Sequence, residues 1–364
     1  MATRSHVPVH AKERRGFAGA VWGAVTPRAA LLVLGVLALQ LAFIASYVGA
    51  FHEPRPDGVP VAVAAPDQVR SQLTDDLDAL PDGPLDVTVS TADAGAARQA
   101  VEDRTVDGAF VADPRGDTDT LLVATAAGGA LADALTGVFE NVAQERNRSL
   151  TVEDVVPADA GDARGLTAFY LVVGWCVGGY LCAAILAMSY GARPAGLLRA
   201  LVRLAALAVV AVAAGIGGAA IVEPVLGALT GGLWSLAALG ALIVFAVGAV
   251  TLALQGLAGV VGIGLAILLV VVLGNPSAGG AYPGPLLPPF WQAIGPFLPP
   301  GAGTWATRSI AYFDGADIGG SLLVLAAWAV AGTALTVLAA ILRHRRRTRA
   351  APWPPRDVVT PGTP

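Results

Sequence analysis

The chain is 364 residues long, 55% hydrophobic and only 14% charged, with a mean hydropathy of +0.65. These values exclude an ordinary soluble domain and point to an integral membrane protein. The net charge of -4 conceals a sorting by sign. Residues 1–28 carry five Lys or Arg against one acid, residues 343–364 carry six Arg against one acid, and residues 51–165 carry eight Arg against 22 acids. Basic residues close to membrane spans stay on the cytoplasmic side, whereas a long acidic domain crosses whatever its charge. Both tails are therefore expected inside and residues 51–165 outside.

Taken in order, residues 1–28 form a cytoplasmic arm and residues 29–50 a first transmembrane helix, with Gln40 its one strongly polar residue. A cleaved signal peptide is the rival reading, since Val48-Gly49-Ala50 resembles a small-residue cleavage site. An apolar run of this length behind so long an arm favours a retained span. Residues 51–165 then alternate strand and helix patterns, with strands at 59–65, 86–92, 106–112, 120–125 and 151–156 and helices at 67–80, 93–105 and 130–146. The order βαβαββαβ predicts a compact α/β domain with its own apolar core, able to fold alone.

Residues 166–274 hold only four charged residues, Arg193, Arg199, Arg203 and Glu223. Breaks at 191–200, 223–232 and Gln255-Gly256 divide this block into transmembrane helices 2–5, at 166–190, 201–222, 233–254 and 257–274. Read as one helix, 233–274 would be about 63 Å long, roughly twice the hydrocarbon core, so a tight reversal is placed near Gln255. In residues 191–203, Leu197, Leu198 and Leu201 lie against Arg193, Arg199 and Arg203, which suits a short amphipathic helix at the inner surface. An ordinary basic loop, with Arg203 reaching out of the next span, is the alternative.

Residues 275–319 are rich in proline, glycine and aromatic residues, with Arg308 the only base. This predicts an outer loop, or one that re-enters the membrane under cover of protein. A sixth span at 320–342 leads into the basic tail 343–364. The expected fold class is an α-helical multi-pass membrane protein of six transmembrane helices, with an extracytoplasmic α/β domain inserted between helices 1 and 2.

No phosphate-binding loop of the G-x-x-x-x-G-K-[ST] type occurs, no His or Cys cluster has metal-ligand spacing, and the acids have no His partner. Cys176 and Cys182 lie six positions apart in one apolar span and read as packing residues. No enzyme activity, cofactor or metal is expected. No ionisable residue falls near the centre of a span, so ion coupling within the chain is not expected either, and active transport would need another protein. Gly178-Gly179 and the series Gly256, Gly259, Gly262 and Gly264 suit close helix approach.

One span, a large extracytoplasmic domain, then five spans with a Pro-rich loop before the last form a recognisable arrangement. With the run DARGLTAFYLVVGWCVGGYL at 162–181, NPSAGG at 275–280 and LPPGAG at 298–303, it resembles the permease subunits of type-2 ATP-binding-cassette exporters, in particular the YhgE/Pip-like branch. The resemblance covers most of residues 29–343. It implies a separate ATP-binding-cassette ATPase subunit as partner, a homodimer or a heterodimer with a related permease, contact with membrane lipid, and no nucleic acid. It also implies that residues 191–203 couple to the ATPase through Arg193, Leu197, Leu198, Arg199, Leu201 and Arg203. Asn275, Pro276, Pro299, Pro300 and Gly301 are its outer-loop family-like positions. The expected function is the membrane subunit of an exporter in a bacterial inner membrane, moving an apolar or amphipathic substrate. The alternative is a non-transporting receptor or assembly scaffold that uses its extracytoplasmic domain.

Overall fold

The computed structural model describes residues 26–190 and 196–349; Arg193, residues 1–25 and residues 350–364 lie outside them. The chain divides into two compact units, residues 1–42 and 43–364. In the first, the described residues form the leading part of helix α1 (Pro27–Phe51). Pro27 suits a first helical position because its missing N–H would be unsatisfied there, and the Ala29 N–H finds the Thr26 hydroxyl at 3.2 Å.

The second unit contains the end of α1 and then β1 (Val59–Ala64), α2 (Asp67–Asp78), β2 (Leu85–Thr91), α3 (Ala94–Glu102), β3 (Gly108–Val111), β4 (Thr118–Val123), α4 (Gly129–Glu145) and β5 (Ser149–Asp154). These strands form one sheet in the order β2-β1-β3-β4-β5, with β3 and β4 antiparallel and the other neighbours parallel. Alternation along β1 explains why both faces are covered. Val59, Val61 and Val63 pack with Leu73 and Leu77 of α2 and with Leu131, Leu135 and Phe139 of α4, while Ala62 and Ala64 pack with Ala97 and Val101 of α3. Phe110 stacks on Phe139 with ring centroids 5.0 Å apart. Asp93 starts α3 by accepting the Gly95 N–H at 2.8 Å.

Residues from beyond this region also join its core. Leu286 joins the valine face and Phe313 joins the alanine face, both from residues 275–319. The alanine face is shallow, and a bulky ring from elsewhere fills what α3 leaves open.

The remaining helices are α5 (Thr167–Tyr190), α6 (Leu197–Ala220, continued by a π-helical turn Ile221–Val225), α7 (Leu233–Ala258), α8 (Val261–Ile267, continued by π-helical Leu268–Gly274), α9 (Pro289–Ile294), α10 (Pro299–Tyr312) and α11 (Gly319–Arg349). Five segments are long and apolar enough, by length and composition, to cross a membrane: Ala29–Phe51, Thr167–Ala187, Leu197–Val225, Leu233–Ala258 and Gly319–Arg343. They suit a multi-pass membrane protein. Helix α7 is central and packs against α5, α6, α8, α10 and α11. Close approach depends on glycine: a Cβ on Gly215 of α6 would lie 2.3 Å from the Ala237 carbonyl oxygen of α7.

Two boundaries differ from those expected. The reversal falls at Gly259, with φ 68°, and α7 runs straight through Gln255-Gly256 because Gln255 is fully buried within it. The return, Val261–Gly274, is an apolar helix shorter than those five. Leu197, Leu198, Arg199, Leu201 and Arg203 form the first turns of the long α6 and not a separate surface helix. Gly196 is extended, and nothing between Leu197 and Ala214 breaks a helix once begun.

Phe313→Ala is expected to destabilise the protein by about 3 kcal/mol, the usual cost of truncating a buried phenylalanine, visible as a lower melting temperature in detergent. Val69→Ala, at a residue that is 46% exposed on α2, is the control and should stay within about 0.5 kcal/mol of wild type.

Candidate functional site: a cavity bearing two arginines

The NPSAGG and LPPGAG motifs are drawn together through Gly274 and Gly295. A Cβ on Gly295 would fall 2.2 Å from the Ser277 carbonyl oxygen, one on Gly301 would fall 2.1 Å from the Gly295 carbonyl oxygen, and one on Gly274 would meet the Pro300 ring at 2.7 Å. Asn275, Pro276, Pro299, Pro300 and Gly301 are all buried in this contact region. Pro299 and Pro300 open α10, where their missing N–H groups cost nothing. The buried Thr304 and Thr307 then satisfy their hydroxyls on the Pro300 and Gly303 carbonyls, each at 2.8 Å.

Helix α10 presents Arg308 next, only 3% exposed. Its Nη1 donates to the Gly279 carbonyl at 2.7 Å, and its Nη2 to the Gly165 and Gly280 carbonyls at 3.1 and 3.3 Å. Its Nε is buried without a hydrogen-bond partner. Burial lowers its pKa to about 10, against the opposing influence of Asp162 and Tyr312. Arg104 approaches from the turn after α3, where its φ is 59°. Its Nη1 donates to the Trp305 carbonyl at 3.0 Å and the Ser309 hydroxyl at 2.6 Å, and its guanidinium carbon lies 3.4 Å from the Trp305 ring centroid. Burial, reinforced by repulsion from Arg308, lowers its pKa to about 9. Both groups remain cationic at neutral pH. Among the described residues, neither arginine has an ion-pair partner.

These two arginines line a cavity of about 500 Å³, together with Asp107, Asp317, Phe297, Trp305 and Val324. Burial raises the Asp107 pKa to about 6, with Arg104 opposing the shift. Nearby, the Asp162 carboxylate accepts from the Thr167 N–H at the start of α5 and from the Tyr312 hydroxyl, both at 2.7 Å. The Asp159 carboxylate accepts from Thr230 N–H and hydroxyl at 3.1 and 3.0 Å, just before α7. The acids that follow β5 thus tie the sheet to two helix starts. Among the described residues no cluster of His, Cys, Asp or Glu could hold a metal ion.

The structure brings the two outer-loop motifs to this cavity and keeps the other expected site residues away from it. Leu197, Leu198 and Leu201 are exposed at 42%, 75% and 47%, Arg199 is exposed beside them, and Arg203 turns inward and is buried. They begin the 29-residue segment Leu197–Val225, whose far end leads to Thr230, so they stand roughly 43 Å along the helix from the cavity side. Sequence reasoning missed Arg104, Asp107 and Asp317, which entered only a charge count. Arg308 did carry a signal, as the one base of an otherwise apolar loop.

No protein-family model, curated protein or solved structure matches the chain.

The Asp107 shift has a signed consequence. A carboxyl whose folded pKa is about 6 holds its proton in the folded state while the unfolded chain, near the ordinary value of 3.8, has lost it. Stability contributed by this group therefore falls as pH rises through that interval. Relative to wild type, Asp107→Asn should gain stability between about pH 4 and pH 6 and hold the gain above it. The check is the difference in melting temperature between the two proteins across pH, which cancels the titration of the other acids. A flat difference would show that Asp107 is not held in a desolvating site.

Proposed function

We propose that the chain is the membrane-embedded permease subunit of a bacterial ATP-binding-cassette exporter, energised by a separate ATPase and moving an apolar or amphipathic substrate outward. In this reading six segments cross the membrane, the short Val261–Gly274 among them, and the sheet region stands outside. The observation that carries it is the contrast between the two ends of the long helices. One end of α6 bears the exposed Leu198 and Arg199, and the last turns of α11 bear Arg343 and Arg345. The other ends meet the sheet region and its cavity, through Thr230 beyond α6 and Gly320 in α11. Basic residues at one end fit a cytoplasmic face. An even number of crossings puts both tails there.

An exposed leucine pair at a helix start suits a groove on a partner, where apolar anchors contribute most of the energy and rim charges less. Purified from its native membrane, the wild-type chain should bring an ATP-hydrolysing subunit with it. Leu198→Asp should abolish that co-purification without reducing membrane insertion, and Arg199→Ala should weaken it modestly. In a background lacking Cys176 and Cys182, Asp117→Cys should react with an impermeant thiol reagent added from outside. A chain that carries no ATPase while its exposed Asp117 side still labels from outside would favour the receptor or scaffold reading instead.

A further inference from the structure

The cavity contains more cationic chemistry than the protein itself satisfies. Arg308 is almost wholly buried, keeps one N–H without a partner, and has no carboxylate in ion-pair contact among the described residues. Arg104 is close enough to repel it and equally lacks an ion pair. Bringing two like charges together out of water is unfavourable unless a counter-charge arrives. Asp107 and Asp317 moderate the repulsion without pairing, and Asp317 sits exposed at the rim. An anion with several acceptor oxygens would take up the free donors, as arginines do with phosphate.

The surroundings indicate what the anion is attached to. Gly320, Ser321 and Val324, in the first two turns of α11, line the cavity, and α11 contains one of the five segments apolar enough to cross a membrane. The end of such a segment lies at headgroup depth. Phe297, which lines the cavity, is 67% exposed, and Leu323, in the same opening turns of α11 as Gly320 and Val324, is 72% exposed, apolar surface that a free ion would not use but an acyl chain would cover. The cavity volume of about 500 Å³ is in the range of small-ligand sites and accommodates a headgroup, not a whole lipid.

We propose that this cavity binds the phosphate-bearing headgroup of an anionic membrane phospholipid, with Arg104 and Arg308 as its cationic partners and the acyl chains along Phe297 and Leu323. The site deepens the exporter reading by naming a ligand class, and rests on it only for the membrane location. Lipid binding is measured without any ATPase, so a failed ATPase pull-down leaves it standing, and a failed lipid titration leaves the pull-down standing.

The full-length chain in a neutral detergent is titrated with phosphatidylglycerol and with phosphatidylcholine of equal chain length, binding being read by native mass spectrometry. Both lipids carry the phosphodiester, but phosphatidylcholine adds a quaternary ammonium that the two arginines repel, so phosphatidylglycerol should bind about tenfold more tightly. Arg104→Gln should bring the two lipids close to equal affinity. Gly320→Trp fills the cavity at a position where a new Cβ meets nothing within 4 Å, and should weaken phosphatidylglycerol binding while leaving the melting temperature unchanged. Equal binding of the two lipids by wild type would overturn the proposal, and so would a folded Gly320→Trp protein that binds phosphatidylglycerol as wild type does. Inorganic phosphate that binds in the cavity as tightly as the anionic lipid would assign it to a free anion and overturn the lipid assignment.

Discussion

A guanidinium withdrawn from water must be given acceptors, and the way Arg308 is given them fixes much of the surrounding chain. Its three carbonyl partners all belong to glycines, Gly165, Gly279 and Gly280. Two of these, Gly165 and Gly279, have φ near 70°, a conformation that side-chain-bearing residues rarely adopt. At Gly280 the constraint is space, since a Cβ there would lie 2.4 Å from the Phe169 ring. The glycines of NPSAGG and of the DARG turn thus let two segments bring their carbonyls around one buried charge on a third. What reads in the sequence as loop composition is, in three dimensions, a socket.

The same junction binds the sheet region into the helical bundle. Arg104 reaches α10, Asp162 reaches the start of α5 and Tyr312, and Asp159 reaches Thr230. Apolar contacts follow the same route, with Leu286 and Phe313 completing opposite faces of the sheet. Polar ties supply direction and apolar burial supplies most of the free energy. Since the two kinds of contact involve the same short segments, loosening one loosens the other, and the sheet cannot shift without disturbing α10.

Much of this architecture is legible in the sequence because the signals are periodic. Valines at every second position mark β1, leucines at helical spacing mark α2, and long uncharged runs mark the helices that satisfy membrane length. Periodicity fails where one residue decides. The reversal after α7 is set by the left-handed Gly259, and the sequence offers Gln255-Gly256 as an equally good break. The amphipathic reading of residues 197–203 fails for a related reason: a helix that has begun continues until something stops it, and the apolar run that follows Arg203 contains no early stop. Ala200, Arg203, Leu204 and Leu207 are buried while Leu197, Leu198 and Leu201 are exposed, so the packed face of α6 is not the leucine face that looked amphipathic.

The cavity was the least legible part, and the reason is separation along the chain. Arg104 and Arg308 are brought together across a gap of about 200 residues, by a sheet turn on one side and a proline-initiated helix on the other. Neither residue has a local pattern that announces the other. In the proposed exporter, the loop that follows α6 joins that helix to α10 at backbone distance: a Cβ on Gly231, between α6 and α7, would lie 2.1 Å from Ala311 Cα. Contact that close leaves no side chain to absorb a displacement. In that reading a movement imposed at the Leu198 end would reach α10 through this loop and through the apolar cluster that Ala219 and Val222 form with Ile310 and Ala311.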